Sequence, residues 1–331
     1  MSGRVASLMP RWARGRTLSR THRQVILTFL AAVLLFLLGG VIQSSFLRFS
    51  NVSTTLVIAS FIAIAAAGQT FVILIAGIDL SVPWVLNSAA IMMTVLAAGS
   101  NHRLVFALPV VLGLAALVGA INGMGIAYLG VPAIVMTLGM NGIMQGAILQ
   151  YTGSLTCPHC ADYAPSILTK IMNDSYHGIP YALVVLVIIT IILSLVLART
   201  KFGRYIYSVG NNADASYLAG INVKRVTVTA YSLGGLFSAL AGVALMGYSG
   251  IPDLGMGDPY LFLTIAAVVI GGASILGGRG NYLGTVAGAI ILVVLVDLMN
   301  ILKISEAGRN VLYGAVIIVA LLLYGRETRE V

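Results

Sequence analysis

Three neutral polar side chains, Thr137, Asn141 and Gln145, recur at four-residue spacing inside an apolar run, which places them on one face of a helix. Such a stripe can exchange hydrogen bonds with a polyhydroxylated solute, few enough to let it leave. Equally, it can tie neighbouring helices together in lipid, at about 0.6 kcal/mol per bond. Gln69 and Asn122 are weaker companions of the stripe. Asp79 and Ser81 lie where another apolar run breaks, and there a carboxylate can either cap a helix N-terminus or serve a gate.

Other chemistries find little support. A nucleotide-hydrolysing loop needs Gly-x4-Gly-Lys-Ser/Thr, whose backbone N–H groups and lysine hold the phosphates. The nearest run, Gly272 to Gly277, continues with Gly278 and Arg279 and falls in an apolar segment. It reads as a close-packing helix surface, so no ATP hydrolysis is expected on this chain. Ion-coupled carriers keep ionisable groups within their spans. Here His22, His102, His159 and His177 all fall in loops or tails, and only Asp79 and Asp297 approach apolar segments, at their ends. Cys157 and Cys160 have the spacing of redox dithiols, with His159 and His177 as conceivable metal ligands. No thioredoxin-like sequence surrounds them, a local disulfide is the default in an oxidising compartment, and no metal site is expected.

The elements that position these groups are almost wholly apolar. Hydrophobic residues make up 59% of the 331 and charged residues 9%, with a mean hydropathy of +1.00. Soluble domains run about 45–50% apolar and about 25% charged. At about 20 residues per span, the expected fold is an all-α polytopic transmembrane bundle of about ten spans.

In order, a basic tail (1–24) leads into an uncleaved signal anchor at 25–41. Further spans are expected at 54–76, 85–98, 105–129, 132–151, 179–197, 226–248, 261–276, 283–296 and 311–324, so the transmembrane domain covers 25–324 before a short tail, 325–331. Gly77, free to take unusual backbone angles, and Pro83, which lacks a donor, break the pattern after the second span. The longest uninterrupted polar loop is 152–178. The most polar interior segment is 199–225, with a short helix expected at 213–218, Asn211 or Asn212 as its N-cap and Gly220 as its stop.

The formal charge of +9 could suggest a nucleic-acid partner, but its placement has another reason. With ten spans and both termini on the side of the 199–225 segment, fourteen of the nineteen Lys and Arg fall on that side. The positive-inside rule makes it cytoplasmic, and nucleic-acid binding becomes unnecessary. Two short correspondences hint at an inverted repeat: GIDL at 77–80 with GIPDL at 250–254, and Gly119, Asn141 and Gly146 with Gly288, Asn310 and Gly314. Inverted repeats place a solute path near the bilayer centre, at broken helices; chance similarity in apolar sequence is the competing explanation.

Three separated stretches carry a family resemblance: GQTFVILIAGIDLSV at 68–82, GRYIYSVGNNADASYLAGI at 203–221, and IAAVVIGGASILGGRG at 265–280 followed by GTVAGA at 284–289. In this order they resemble the ribose-type permeases of bacterial ABC importers, within the branched-chain amino-acid/ribose permease superfamily. One departure is that the family pattern has glycine after the Ser-Val pair, where this chain has Pro83 and Trp84.

The resemblance implies the membrane subunit of a monosaccharide or polyol importer in the inner membrane. It also implies partners: a cytoplasmic ABC ATPase carrying ATP and Mg2+, a periplasmic sugar-binding protein, a second permease copy or close homologue, and membrane lipid. Onto the 203–221 stretch it carries a helix that docks on the ATPase, shaped by Gly203, Arg204, Tyr205, Tyr207, Gly210, Asn211, Ala215, Ser216, Gly220 and Ile221. A branched-chain amino-acid permease and a secondary transporter are the alternatives.

Overall fold

The computed structural model describes residues 20–153, 163–305, 307–309, 311 and 314–315, with side chains from residue 24 onward. Most of the tail 1–24, most of the tenth expected span, the tail 325–331, and Cys157, His159 and Cys160 lie outside the described residues.

Twelve α-helices occur among the described residues: α1 (Arg20–Ile42), α2 (Phe49–Leu74), α3 (Val82–Ala97), α4 (Asn101–Leu129), α5 (Ala133–Thr152), α6 (Ser166–Asn173), α7 (Tyr181–Arg199), α8 (Lys201–Asn211), α9 (Ala213–Leu218), α10 (Val223–Ser249), α11 (Tyr260–Ile270) and α12 (Tyr282–Ile301). A two-residue hairpin, β1 (Ser175–Tyr176) with β2 (Ile179–Pro180), follows α6. Long runs of Leu, Ile, Val and Ala become continuous helices because hydrocarbon offers the backbone no other hydrogen-bond partner. Among the described residues, seven helices are long and apolar enough to cross a membrane: α1, α2, α4, α5, α7, α10 and α12.

α2 forms the centre, with every side chain from Ala59 to Leu74 buried. It runs antiparallel to α10, since Phe61 meets Tyr248 (ring centroids 5.3 Å apart) while Phe71 stacks on Phe237 (6.4 Å). Tyr282 at the start of α12 donates to the Ala63 carbonyl at 3.0 Å. By contrast, α1 and α7 expose Leu27, Leu30, Leu34, Val187, Ile191 and Leu195. Apolar faces of that extent are stable against lipid.

One end of the bundle gathers α8, α9 and the start of α10. The end of α4 is there too, because the Lys224 ammonium lies 4.8 Å from the centre of the Tyr128 ring. The opposite end is covered by α6, where Asn101 donates to Ser166 at 2.8 Å and Asn173 to the Tyr248 carbonyl at 3.1 Å.

Several expectations need correction. The third and eighth segments are half-length: α3 has 16 residues and α11 only 11, about 24 and 16 Å against a hydrocarbon core of about 30 Å. α11 stops early because Gly272 takes φ +90° and the Gly272 and Ala273 amides turn back to the Val269 and Val268 carbonyls, a Schellman cap. The 272–277 run is therefore a loop, not a helix surface. At the end of α2 the left-handed residue is Ala76 (φ +61°), not Gly77; Gly77 is needed instead for room, beside the Tyr231 hydroxyl. The 152–178 loop is not uninterrupted, since α6 buries Leu168 and Met172, four residues apart, on one face. The 199–225 segment holds two helices rather than one.

The first internal correspondence has a structural counterpart. The irregular segments 75–81 and 250–259 each follow a long helix and lead into a short one. Segment 250–259 touches the short helix that follows 75–81, where the Gly257 amide donates to Asn87 Oδ1 of α3 at 2.8 Å. The second is not matched in its contacts, because Gly119 packs on Tyr231 of α10 whereas Gly288 packs on Ala267 of the adjacent α11.

Candidate functional site

A chain of buried side-chain hydrogen bonds runs through the break between α2 and α3. Asp79 Oδ1 accepts from both the backbone amide of Ser81 (2.9 Å) and its hydroxyl (2.6 Å). The Ser81 oxygen in turn accepts from Asn122 Nδ2 at 3.0 Å. Tyr231 on α10 donates to the Ile78 carbonyl at 3.3 Å. Asp79, Ser81 and Asn122 are all buried, so this chain of bonds fastens the break between α2 and α3 to α4. Pro83, in the first turn of α3, costs no hydrogen bond there. The carboxylate thus holds the start of α3 and gives the break one conformation.

Sequence reasoning missed Asn87, which is fully buried in α3. Its oxygen holds Gly257, and a side chain at Gly257 would overlap the Pro83 carbonyl. The signal available was an amide inside the apolar run just after the break. Gln69 is fully buried too, one turn before Val72, which lies beside Gly234. Among the described residues, neither end of the Gln69 amide, nor Asn87 Nδ2, nor Asn122 Oδ1, has a hydrogen-bond partner. Each unpaired buried group costs about 1–3 kcal/mol.

The α5 stripe is not brought to this place as a unit. Thr137 is buried and donates to its own Ala133 carbonyl at 2.8 Å, Asn141 is half-buried, and Gln145 is exposed. A four-residue repeat drifts by about 40° per step around a helix of 3.6 residues per turn, which carries the stripe from the interior to the surface.

At the end bearing α8 and α9, Thr200 caps α8 by accepting from the Gly203 amide at 3.1 Å. Asn212 caps α9 by accepting from Ala215 at 2.9 Å, and Gly220 (φ +83°) follows its last turn. The ten residues picked out by resemblance divide by environment. Gly203, Gly210 and Ser216 face inward, Tyr207 and Ile221 are half-buried, and Arg204, Tyr205, Asn211, Ala215 and Gly220 are exposed. Tyr217 and Leu218 on α9 are exposed as well, Leu218 to 85%.

The inward residues make a junction. A side chain at Gly210 would overlap the Leu74 carbonyl. That carbonyl accepts from the Gly278 amide at 2.9 Å, and the Tyr207 hydroxyl donates to the Gly280 carbonyl, also at 2.9 Å. Burial pushes the Tyr207 phenol above its ordinary range, so it stays a donor. Helix α8 is thereby fixed both to the end of α2 and to the loop between α11 and α12. Among the described residues, no group of three His, Cys, Asp or Glu could hold a metal ion.

The family described as branched-chain amino acid transport system / permease component matches residues 51–321. The chain is 34% identical to the ribose import permease protein of Haemophilus influenzae over 296 residues, 89% of this chain and 91% of that protein. It is 35% identical to the fructose import permease protein of Rhizobium meliloti over 285 residues, 83% and 78% of the two chains. The autoinducer 2 import system permease protein of Escherichia coli is 30% identical over 305 residues, 92% and 88%. No solved structure matches the chain significantly.

Proposed function

The chain belongs to the branched-chain amino acid transport system / permease component family, and on that premise we propose that it carries a monosaccharide or related polyol across the bacterial inner membrane as the permease of an ABC importer. The observation that carries this reading is the likeness to a ribose import permease along 296 residues. ATP and Mg2+ belong to a separate cytoplasmic ATPase, and a periplasmic binding protein delivers the solute. The sugar class rests on the relatives named for ribose and fructose import.

In this reading the end bearing Arg199, Lys201, Arg204, Lys224 and Arg225 is cytoplasmic, in line with the positive-inside rule, and both termini lie on that side. The outward residues of α8 and α9 meet the ATPase. Movement of α8 then reaches the end of α2 and the 271–281 loop through Gly210 and Tyr207. A second copy completes the path, and the face of α5 at Gly139, Gly142 and Gly146, where among the described residues nothing lies within 4 Å of an added side chain, suits the close approach of another helix. The test is solute-stimulated ATP hydrolysis by the reconstituted complex. Arg204→Glu or Leu218→Glu should abolish stimulation while membrane insertion persists; stimulation surviving both changes would contradict the docking assignment.

A further inference from the structure

A cleft of about 340 Å³ lies between α8 and the first two turns of α10, within the range of small-ligand sites, about 300–1,000 Å³. Phe202, Ile221 and Val226 give it apolar walls, and Tyr205, Arg225 and Thr229 give it polar ones. Arg225 is fixed at its backbone, its amide donating to Asn222 Oδ1 at 3.0 Å and its carbonyl accepting from Thr229 at 2.8 Å. Its side chain is exposed. Asp214, the only acidic residue of 199–225, borders a neighbouring cleft beside α4 and α9 instead. The charge presented to this cleft is therefore positive.

The cleft sits where the bundle leaves hydrocarbon. α7 ends at Arg199 and α10 begins at Val223, and both helices are long and apolar enough to cross a membrane. Beyond Thr229 the same face of α10 carries Leu233, Leu236 and Leu240 at helical spacing, each half-buried. An arginine with an apolar stripe leading from it along a spanning helix matches an anionic headgroup and its acyl chain. Basic pockets between helices hold such headgroups, and a guanidinium grips a phosphate with two bonds. We propose that this cleft binds an anionic glycerophospholipid of the cytoplasmic leaflet, its phosphate on Arg225 and an acyl chain along Thr229, Leu233, Leu236 and Leu240. Arg204 and Leu218, on which the ATPase docking rests, do not line the cleft. The permease reading supplies only the name of the leaflet, so either can fail without the other.

The test is native mass spectrometry of the full-length chain released from detergent with phosphatidylglycerol or phosphatidylcholine added. The wild-type chain should retain phosphatidylglycerol in preference. Arg225→Gln should weaken its apparent affinity at least about fivefold, the worth of one arginine at an anionic lipid surface. Thr229→Phe, which fills the cleft and leaves the charge alone, should also lower retention. Lys201→Gln, exposed on α8 but outside the cleft, should change it little. Equal losses from Lys201→Gln and Arg225→Gln would show diffuse attraction to the basic end and overturn the proposal, as would unchanged retention in Thr229→Phe. Displacement of the lipid by an equal concentration of inorganic phosphate would mean that the acyl chain adds nothing, and would equally overturn it. Loss of the lipid from chain recovered with an ATPase would assign the cleft to that partner instead.

Discussion

The Tyr207 hydroxyl donates to the Gly280 carbonyl at 2.9 Å across 73 residues of sequence, joining the helix exposed at one end of the bundle to the loop that links two buried helices. Tyr207→Phe removes this bond and nothing else in shape. A net loss of about 1 kcal/mol is expected, seen as a modest fall in Tm. ATPase recovery should be unchanged while solute-stimulated turnover drops.

Gly210→Ala should act more severely at the same junction. Its added methyl meets backbone atoms of Leu74 and Gly278, which cannot rotate away as a side chain can. Overpacking of this kind costs roughly 1–3 kcal/mol. Thermal unfolding of the detergent-solubilised variant checks the size, and an unchanged Tm would mean that α8 sits more loosely on α2.

Ser81→Ala removes the hydroxyl that bridges Asp79 and Asn122: Asn122 Nδ2 loses its partner, while Asp79 Oδ1 keeps only the bond from the residue 81 amide. A loss of roughly 1–3 kcal/mol is expected, largely restored by Ser81→Thr, which keeps the hydroxyl. Thermal unfolding of the two variants side by side distinguishes the hydroxyl from the volume it fills.

Ala76→Gly should stabilise. Ala76 is exposed at φ +61°, a left-handed conformation that costs a residue with a Cβ roughly 1 kcal/mol or more. Removing the Cβ relieves that cost and gives up little packing, so Tm should rise.

Local features were legible in the sequence. Apolar runs located the long helices, and the Asn212 cap and Gly220 stop of α9 were readable because each acts within a few residues. α6 was hidden by its polar surroundings, although Leu168 and Met172 already marked a helical face. The division of α2 from α3 was legible at Gly77 and Pro83, but not which residue would turn left-handed. What could not be read is whatever depends on packing between distant segments: the burial of Gln69, the bond from Gly257 to Asn87, and the inward turn of Gly203, Gly210 and Ser216. The α5 stripe was legible as a helical face, but spacing fixes a face and not its neighbour.

The function proposed above makes one demand above the others, namely a nucleotide-binding partner, which it docks on α8 and α9. The most direct measurement is a pull-down of the tagged chain from gently solubilised membranes, with mass spectrometry of what it retains. Recovery of an ABC ATPase from the wild-type chain, and its loss with Arg204→Glu, is the expected result. A chain that comes out without any ATPase, yet drives gradient-dependent sugar uptake in liposomes, would contradict the account.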